Sequence, residues 1–212
     1  MSDDNLIPPT GFTAALYVDM KRCIGCNACS LACKQENNVI LGNRWTRVYG
    51  GEKGSYPEVN VQVLPMPCQQ CVNAPCKNTC DALGHRAIIR RPDGILYVDP
   101  RLCVGCQQCI AVCPYKVMNF NPQKVNKLGQ LGVAEKCHYC MHRLDQGLLP
   151  ACVVTCLGIT LEYGNYNTLR GKYSNAEPMG EIGVKVLYGN LGDEPKRPTA
   201  GHPDPVPCHD DD

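Results

Sequence analysis

Leu96-Tyr97-Val98-Asp99-Pro100-Arg101-Leu102-Cys103-Val104-Gly105-Cys106-Gln107-Gln108-Cys109-Ile110-Ala111-Val112-Cys113 occurs twice, in variant form, within this chain of 212 residues. The other copy reads Leu16-Tyr17-Val18-Asp19-Met20-Lys21-Arg22-Cys23-Ile24-Gly25-Cys26-Asn27-Ala28-Cys29-Ser30-Leu31-Ala32-Cys33, and the two align without a gap at an offset of 80. Self-similarity of this kind marks a duplicated unit. Each copy begins with a short β-prone stretch (14–18 and 95–98). A turn then leads into four cysteines spaced C-x2-C-x2-C-x3-C.

Two further quartets surround these. Cys68, Cys71, Cys76 and Cys80 are spaced C-x2-C-x4-C-x3-C, and Cys137, Cys140, Cys152 and Cys156 are spaced C-x2-C-x11-C-x3-C. Sixteen of the seventeen cysteines fall into quartets, with Cys208 left over. Two Phe and one Trp supply little aromatic core, so covalent or metal links are expected to stand in for core volume. The 21 Lys and Arg balance 20 Asp and Glu. That balance excludes a strongly basic nucleic-acid binder and a field that steers acidic substrates.

Disulfides, structural zinc and iron–sulfur ligation compete for the cysteines. A secreted disulfide protein starts with a basic n-region and an apolar run. Met1-Ser2-Asp3-Asp4-Asn5 is acidic and no such run follows, so no export signal of its own is expected. Zinc sites pair two C-x2-C knuckles across a gap, and the last quartet taken alone could be one. Three cysteines two residues apart crowd a single tetrahedral ion, but on a curled loop each can reach a different corner of a cubane. C-x2-C-x2-C-x3-C followed by Pro114 is the bacterial ferredoxin run, whose fourth cysteine ligates the neighbouring cluster. Gly25 and Gly105 are expected where the loop backbone passes close to inorganic sulfide.

The remaining pattern is modest. Residues 87–89 and 95–98 flank Arg91-Pro92-Asp93-Gly94 and predict a hairpin. Strands are expected at 59–63, 159–163 and 184–188, and helices at 28–35, 108–113 and 139–146. Polar, Gly- and Asn-rich linkers follow the first and third quartets, and an extended tail is expected from Asp193 onward. His138 and His142, four apart, could be a metal pair, but packing or hydrogen bonding is the favoured reading. Trp45 reads as packing or interface. Arg22, Lys34, Arg101, Lys116 and Lys136 flank the quartets and are expected at solvated surface positions. Asp81, after Cys80, would lower a cluster potential if it lies close to one. Cys208-His209 before three aspartates reads as a free thiol on the tail.

From about residue 12 to 165 the chain resembles the four-cluster iron–sulfur subunit of the DMSO reductase family of molybdenum/tungsten oxidoreductases. It is most similar to the electron-transfer subunits of polysulfide, thiosulfate and respiratory arsenate reductases. The phrases that carry this are Leu31-Ala32-Cys33-Lys34-Gln35-Glu36-Asn37-Asn38, Cys113-Pro114-Tyr115, Lys136-Cys137-His138-Tyr139-Cys140-Met141-His142-Arg143-Leu144 and Leu149-Pro150-Ala151-Cys152. The chain departs from the pattern where Asp81 and Leu157, not proline, follow Cys80 and Cys156.

The resemblance implies an α+β fold of two interleaved ferredoxin-like modules with short strands and helices. Residues 12–33 with 134–165 would form one module and 58–120 the other. Residues 34–57 and 121–133 would be connecting excursions, and 166–212 a C-terminal extension and tail. It further implies four [4Fe–4S] clusters. Cys23, Cys26, Cys29 and Cys156 would hold the first; Cys68, Cys71, Cys76 and Cys113 the second; Cys103, Cys106, Cys109 and Cys80 the third; Cys137, Cys140, Cys152 and Cys33 the fourth.

The expected role is a non-catalytic wire for anaerobic respiration. It would run between a large Mo/W-bis-pterin catalytic subunit and an integral-membrane, quinone-reactive anchor. The same wire in a soluble two-subunit enzyme such as a formate dehydrogenase, and a zinc-stabilised interaction module, are the alternatives. Neither nucleic acid nor a membrane span in this chain is expected. Location would follow the partner, at the periplasmic face by co-export or else at the cytoplasmic face.

Overall fold

The computed structural model describes residues 11–180 and 183–190. Ala14–Asp19 forms β1, an apolar run with no polar alternation, and such a run belongs in a strand covered on both faces. Ala14, Leu16 and Val18 point into the main core. Ala15 and Tyr17 point the other way, into a smaller cluster with Leu169, Ala176 and Leu187. Tyr17 stacks there on Tyr173, ring centroids 3.6 Å apart.

Strand β1 is central in a four-stranded sheet. The chain runs on through α1 (Ala28–Asn37), the hairpin β2 (Arg47–Ser55) and β3 (Glu58–Met66), α2 (Pro75–Ala82) and the hairpin β4 (Ile88–Arg90) and β5 (Leu96–Val98). Next come α3 (Gln108–Ala111), the hairpin β6 (Asn119–Val125) and β7 (Leu131–Glu135), α4 (Met141–Leu144) and α5 (Ala151–Val154). The last elements are β8 (Leu161–Asn165), α6 (Tyr166–Lys172), β9 (Glu177–Pro178) and β10 (Val186–Gly189). The sheet order is β8-β1-β10-β9, with β1 antiparallel to β8 and parallel to β10. The result is the expected mixture of small helices and strands.

The duplicated sequence is duplicated in three dimensions. Asp19 Oδ1 accepts the Lys21 N–H at 3.1 Å, and Asp99 Oδ1 accepts that of Arg101 at 2.9 Å. This local turn chemistry aims both copies of the repeat into their cysteine loops. Each loop ends on a left-handed residue, Asn27 at φ 57° and Gln107 at φ 59°, before α1 and α3.

Several boundaries differ from expectation for local reasons. Residues 34–57 contain β2, whose Gly50, Gly51 and Gly54 conceal a strand made regular by β3. Helix α2 starts on Pro75, where the missing N–H is not needed. Helix α4 is shorter than 139–146 because Tyr139 and Cys140 are left-handed, φ 53° and 51°. The C-terminal extension supplies β10 beside β1 and β9 beside β10. The tail from Asp193, with Cys208 and His209, lies outside the described residues.

Candidate iron–sulfur sites

Each C-x2-C loop delivers sulfurs from irregular backbone, and each C-x3-C pair lies on or beside a short helix. Helix α2 carries both Cys76 and Cys80, one turn apart. Helix α1 packs against α5, and α2 against α3. These contacts gather cysteines from different quartets.

Cys23, Cys26, Cys29 and Cys156 line one partly open pocket. Cys80, Cys103, Cys106 and Cys109 line a second. Burial pushes the Cys71 thiol up to about 12, and the charges of Cys68, Cys76 and Cys113 add to it. Burial also raises Cys152, with Cys137, Cys140 and Cys33 reinforcing it. Every sulfur of the four sets is thus within electrostatic reach of others of its set.

Neighbouring sets also lie within electrostatic reach of one another, in order. Cys29 acts on Cys33 and Cys152, Cys68 acts on Cys137, and Cys76 acts on Cys109. They therefore run from the Cys23 set through the Cys137 set and the Cys68 set to the Cys103 set. Cys26 and Cys106 are exposed, one at each end of this line, while twelve of the sixteen cysteines are buried.

The donor chemistry fits iron–sulfur groups. Thiols packed this closely, with burial lifting Cys29 to about 11 and Cys109 to about 12, become thiolates around a cationic centre that offsets their charge. Backbone N–H groups already point at sulfur: Ala87 to Cys80 at 3.2 Å, Thr160 to Cys156 at 3.2 Å and Ala134 to Cys103 at 3.5 Å. Burial opposes ionisation of Cys156, yet hydrogen bonds from Thr160, Leu161 and Gly158 hold it below the ordinary thiol value. Asn37 Nδ2 reaches Cys33 at 3.7 Å and Cys140 at 3.6 Å, from helix and loop alike.

Backbone conformation supplies a reason for the two loop glycines. Gly25 and Gly105 sit at φ 71° and 75°, so handedness alone selects glycine. At Gly105 a Cβ would also stand 2.6 Å from the Gly132 carbonyl oxygen of β7, while at Gly25 it would meet Val63 methyls at an ordinary 3.4 Å. Gly105→Ala is expected to cost about 1–3 kcal/mol. It should lower the thermal midpoint of the iron-loaded protein further than Gly25→Ala does.

Among the flanking residues, His138 and His142 do not form a metal pair. His138 packs edge-on against Trp45 at 5.2 Å and accepts the Met141 N–H, while His142 Nε2 bonds Glu36 at 2.8 Å. Trp45 is buried packing. Arg22 and Lys116 are exposed, and exposed Arg101 pairs with Asp99. Lys34 ties α1 to the carbonyls of Ile40 and Asn43. Asp81 pairs with Lys77 one turn back on α2, so its charge is offset locally. Lys136 departs from the surface expectation: it is 2% exposed. Lys185, which the sequence did not single out, is also buried and donates to the Gly94 carbonyl at 2.6 Å.

A family model described as a 4Fe–4S dicluster domain matches residues 59–166, just over half the chain. The chain belongs to this 4Fe–4S dicluster family. A candidate dimethyl sulfoxide reductase iron–sulfur subunit of Halobacterium salinarum is 43% identical over 164 residues. That match takes in 66% of this chain and 62% of the relative, less than two thirds of its length. A tetrathionate reductase subunit of Salmonella typhimurium is 34% identical over 183 residues, 85% of this chain and 69% of the relative. The thiosulfate reductase electron transfer subunit of Salmonella typhi is 40% identical over 173 residues, 80% and 81% respectively. The first of these relatives is named as an iron–sulfur subunit and the third as an electron transfer subunit of their reductases.

Proposed function

We propose that this subunit carries four [4Fe–4S] clusters and relays electrons between a Mo/W-bis-pterin catalytic subunit and a quinone-linked membrane anchor. The enzyme would be an anaerobic respiratory oxidoreductase of the polysulfide, thiosulfate or arsenate type. The observation that carries this reading is the unbroken line of four sulfur sets, buried in the middle and reaching solvent at Cys26 and Cys106. When bound, the clusters supply one-electron carriers with no coordination position left for substrate.

The ligand sets would be Cys23, Cys26, Cys29 and Cys156; Cys137, Cys140, Cys152 and Cys33; Cys68, Cys71, Cys76 and Cys113; and Cys103, Cys106, Cys109 and Cys80. The pairing of β1 with β8 and the packing of α1 on α5 support one ferredoxin-like module built from residues 12–33 and 134–165. The packing of α2 on α3 supports a second within 58–120.

Side chains around the line do the protein's share of the work. N–H groups aimed at Cys80, Cys103 and Cys156 stabilise sulfur charge and raise potential. Ile24, Leu157 and Ile159 expose apolar surface around the Cys26 end, which a protein partner would cover. Among the described residues no helix is long and apolar enough to cross a membrane. Attachment would therefore come through the anchor subunit, at the periplasmic face after co-export of the folded complex.

Iron, acid-labile sulfide and zinc per chain, on protein purified without oxygen, test the reading. About sixteen irons and sixteen sulfides are expected, with molybdenum or tungsten in the intact complex. Zinc without sulfide overturns it.

A further inference from the structure

Among the described residues, Lys136 is the buried cation placed between two of the sulfur sets. It follows β7 directly and precedes Cys137, yet its ammonium donates to Cys68 Sγ at 3.4 Å. It also donates to the carbonyl of Cys137 at 3.0 Å and to that of Leu96. Gln70, itself fully buried, braces the same junction: its Nε2 donates to the Cys137 carbonyl at 2.9 Å and its Oε1 accepts the Leu96 N–H at 2.8 Å. Among the described residues no carboxylate pairs with Lys136.

A buried ammonium without a carboxylate is costly unless another negative charge offsets it. Here only sulfur can do so. Four thiolates around a [4Fe–4S] core leave a net negative charge that grows by one on reduction, so a fixed cation at a ligand sulfur favours the reduced form. Resting on the four-cluster reading above, we propose that Lys136 is the positioning residue that raises the potential of the cluster at Cys68, Cys71, Cys76 and Cys113. The same ammonium links Cys68 to the backbone of Cys137, so the tuned site is the one where electrons pass between the two halves of the line. One electron enters or leaves that site, and no bond forms or breaks.

The test uses the full chain in its complex, purified without oxygen, as wild type, Lys136→Gln and Lys136→Arg. Iron and sulfide are counted first, and each cluster is then titrated potentiometrically by electron paramagnetic resonance. The signal missing from Cys113→Ala identifies the Cys68 site. In Lys136→Gln that site should lose at least tenfold in its reduced-to-oxidised ratio at the wild-type midpoint, about 59 mV for one electron. The other clusters should stay within twofold, and Lys136→Arg should stay near wild type. Unchanged potentials at full iron loading, or an equal shift in Lys136→Arg, overturn the proposal and leave the cluster reading standing. If Lys136→Gln loads less iron, restored loading and potential in Lys136→Arg support the proposal, and failure of both variants overturns it. Wild-type protein without labile sulfide overturns the cluster reading, and this proposal with it.

Discussion

Cys113→Ala is expected to strip iron from the site of Cys68, Cys71 and Cys76, not from the loop of Cys103, Cys106 and Cys109 that leads into it. Sequence proximity argues the opposite, since Cys113 is four residues from Cys109 and 37 from Cys76. Cys113 adds to the raised thiols of Cys71 and Cys76, while Cys109 answers to Cys76, Cys103, Cys106 and Cys80 and not to Cys113. Residues that act as one unit are non-additive, and separate sites add. Cys113→Ala combined with Cys71→Ala should therefore lose no more iron than the more damaging single substitution, up to about four atoms per chain. Cys113→Ala combined with Cys106→Ala should lose the sum, up to about eight. Iron analysis with electron paramagnetic resonance of the reduced protein reads both. Additive loss in the first pair, with shared loss in the second, would place Cys113 in its own loop's site.

The quartets were legible because the backbone of each loop is dictated locally. The Asp19 and Asp99 turns and the positive-φ residues at Gly25, Asn27, Gly105 and Gln107 follow from short-range chemistry, so the repeat in sequence became a repeat in space. Strand β1 was legible for the same reason, as an apolar run that must be covered on both faces. The two-stranded hairpin of β2 and β3 was half hidden, because a Gly-rich strand signals only through its partner.

Lys136 and Lys185 were misread or missed because burial of a long cationic side chain is a tertiary property. Nothing adjacent to Lys136 in sequence announces Cys68, 68 residues away, as its acceptor. The carbonyl that receives Lys185 is 91 residues away, in the turn of the β4–β5 hairpin. A hint existed for Lys185 in the apolar run Val184 to Tyr188 that surrounds it, where an exposed lysine would break a buried strand. For Asp81 the pairing with Lys77 could have been read from the i, i+4 spacing, had α2 been expected.

Chelation of the iron is expected to remove the cooperative fold, not just the colour. The main core is assembled around cysteine: twelve buried cysteines outnumber the three Phe and Trp residues of the whole chain. Helices α3, α4 and α5 are four residues each, far below the roughly 12–15 at which an isolated helix becomes even marginal. Their order depends on sulfurs fixed at their ends and centres. Without that link, burial leaves thiols such as Cys33 and Cys71 raised to about 12, protonated and with only weak hydrogen-bonding capacity. Ligand closure is then unavailable as folding free energy, as in small metal-dependent domains. The circular dichroism of anaerobically chelated protein should show most of the helical signal gone and no sigmoidal thermal transition, with both restored by iron and sulfide under reducing conditions. The sheet of β1, β8 and β10 is the sternest challenge to this expectation, because the small cluster between one of its faces and α6 contains no cysteine. If a cooperative transition survives chelation, that sheet holds the fold by itself and the clusters are passengers on it.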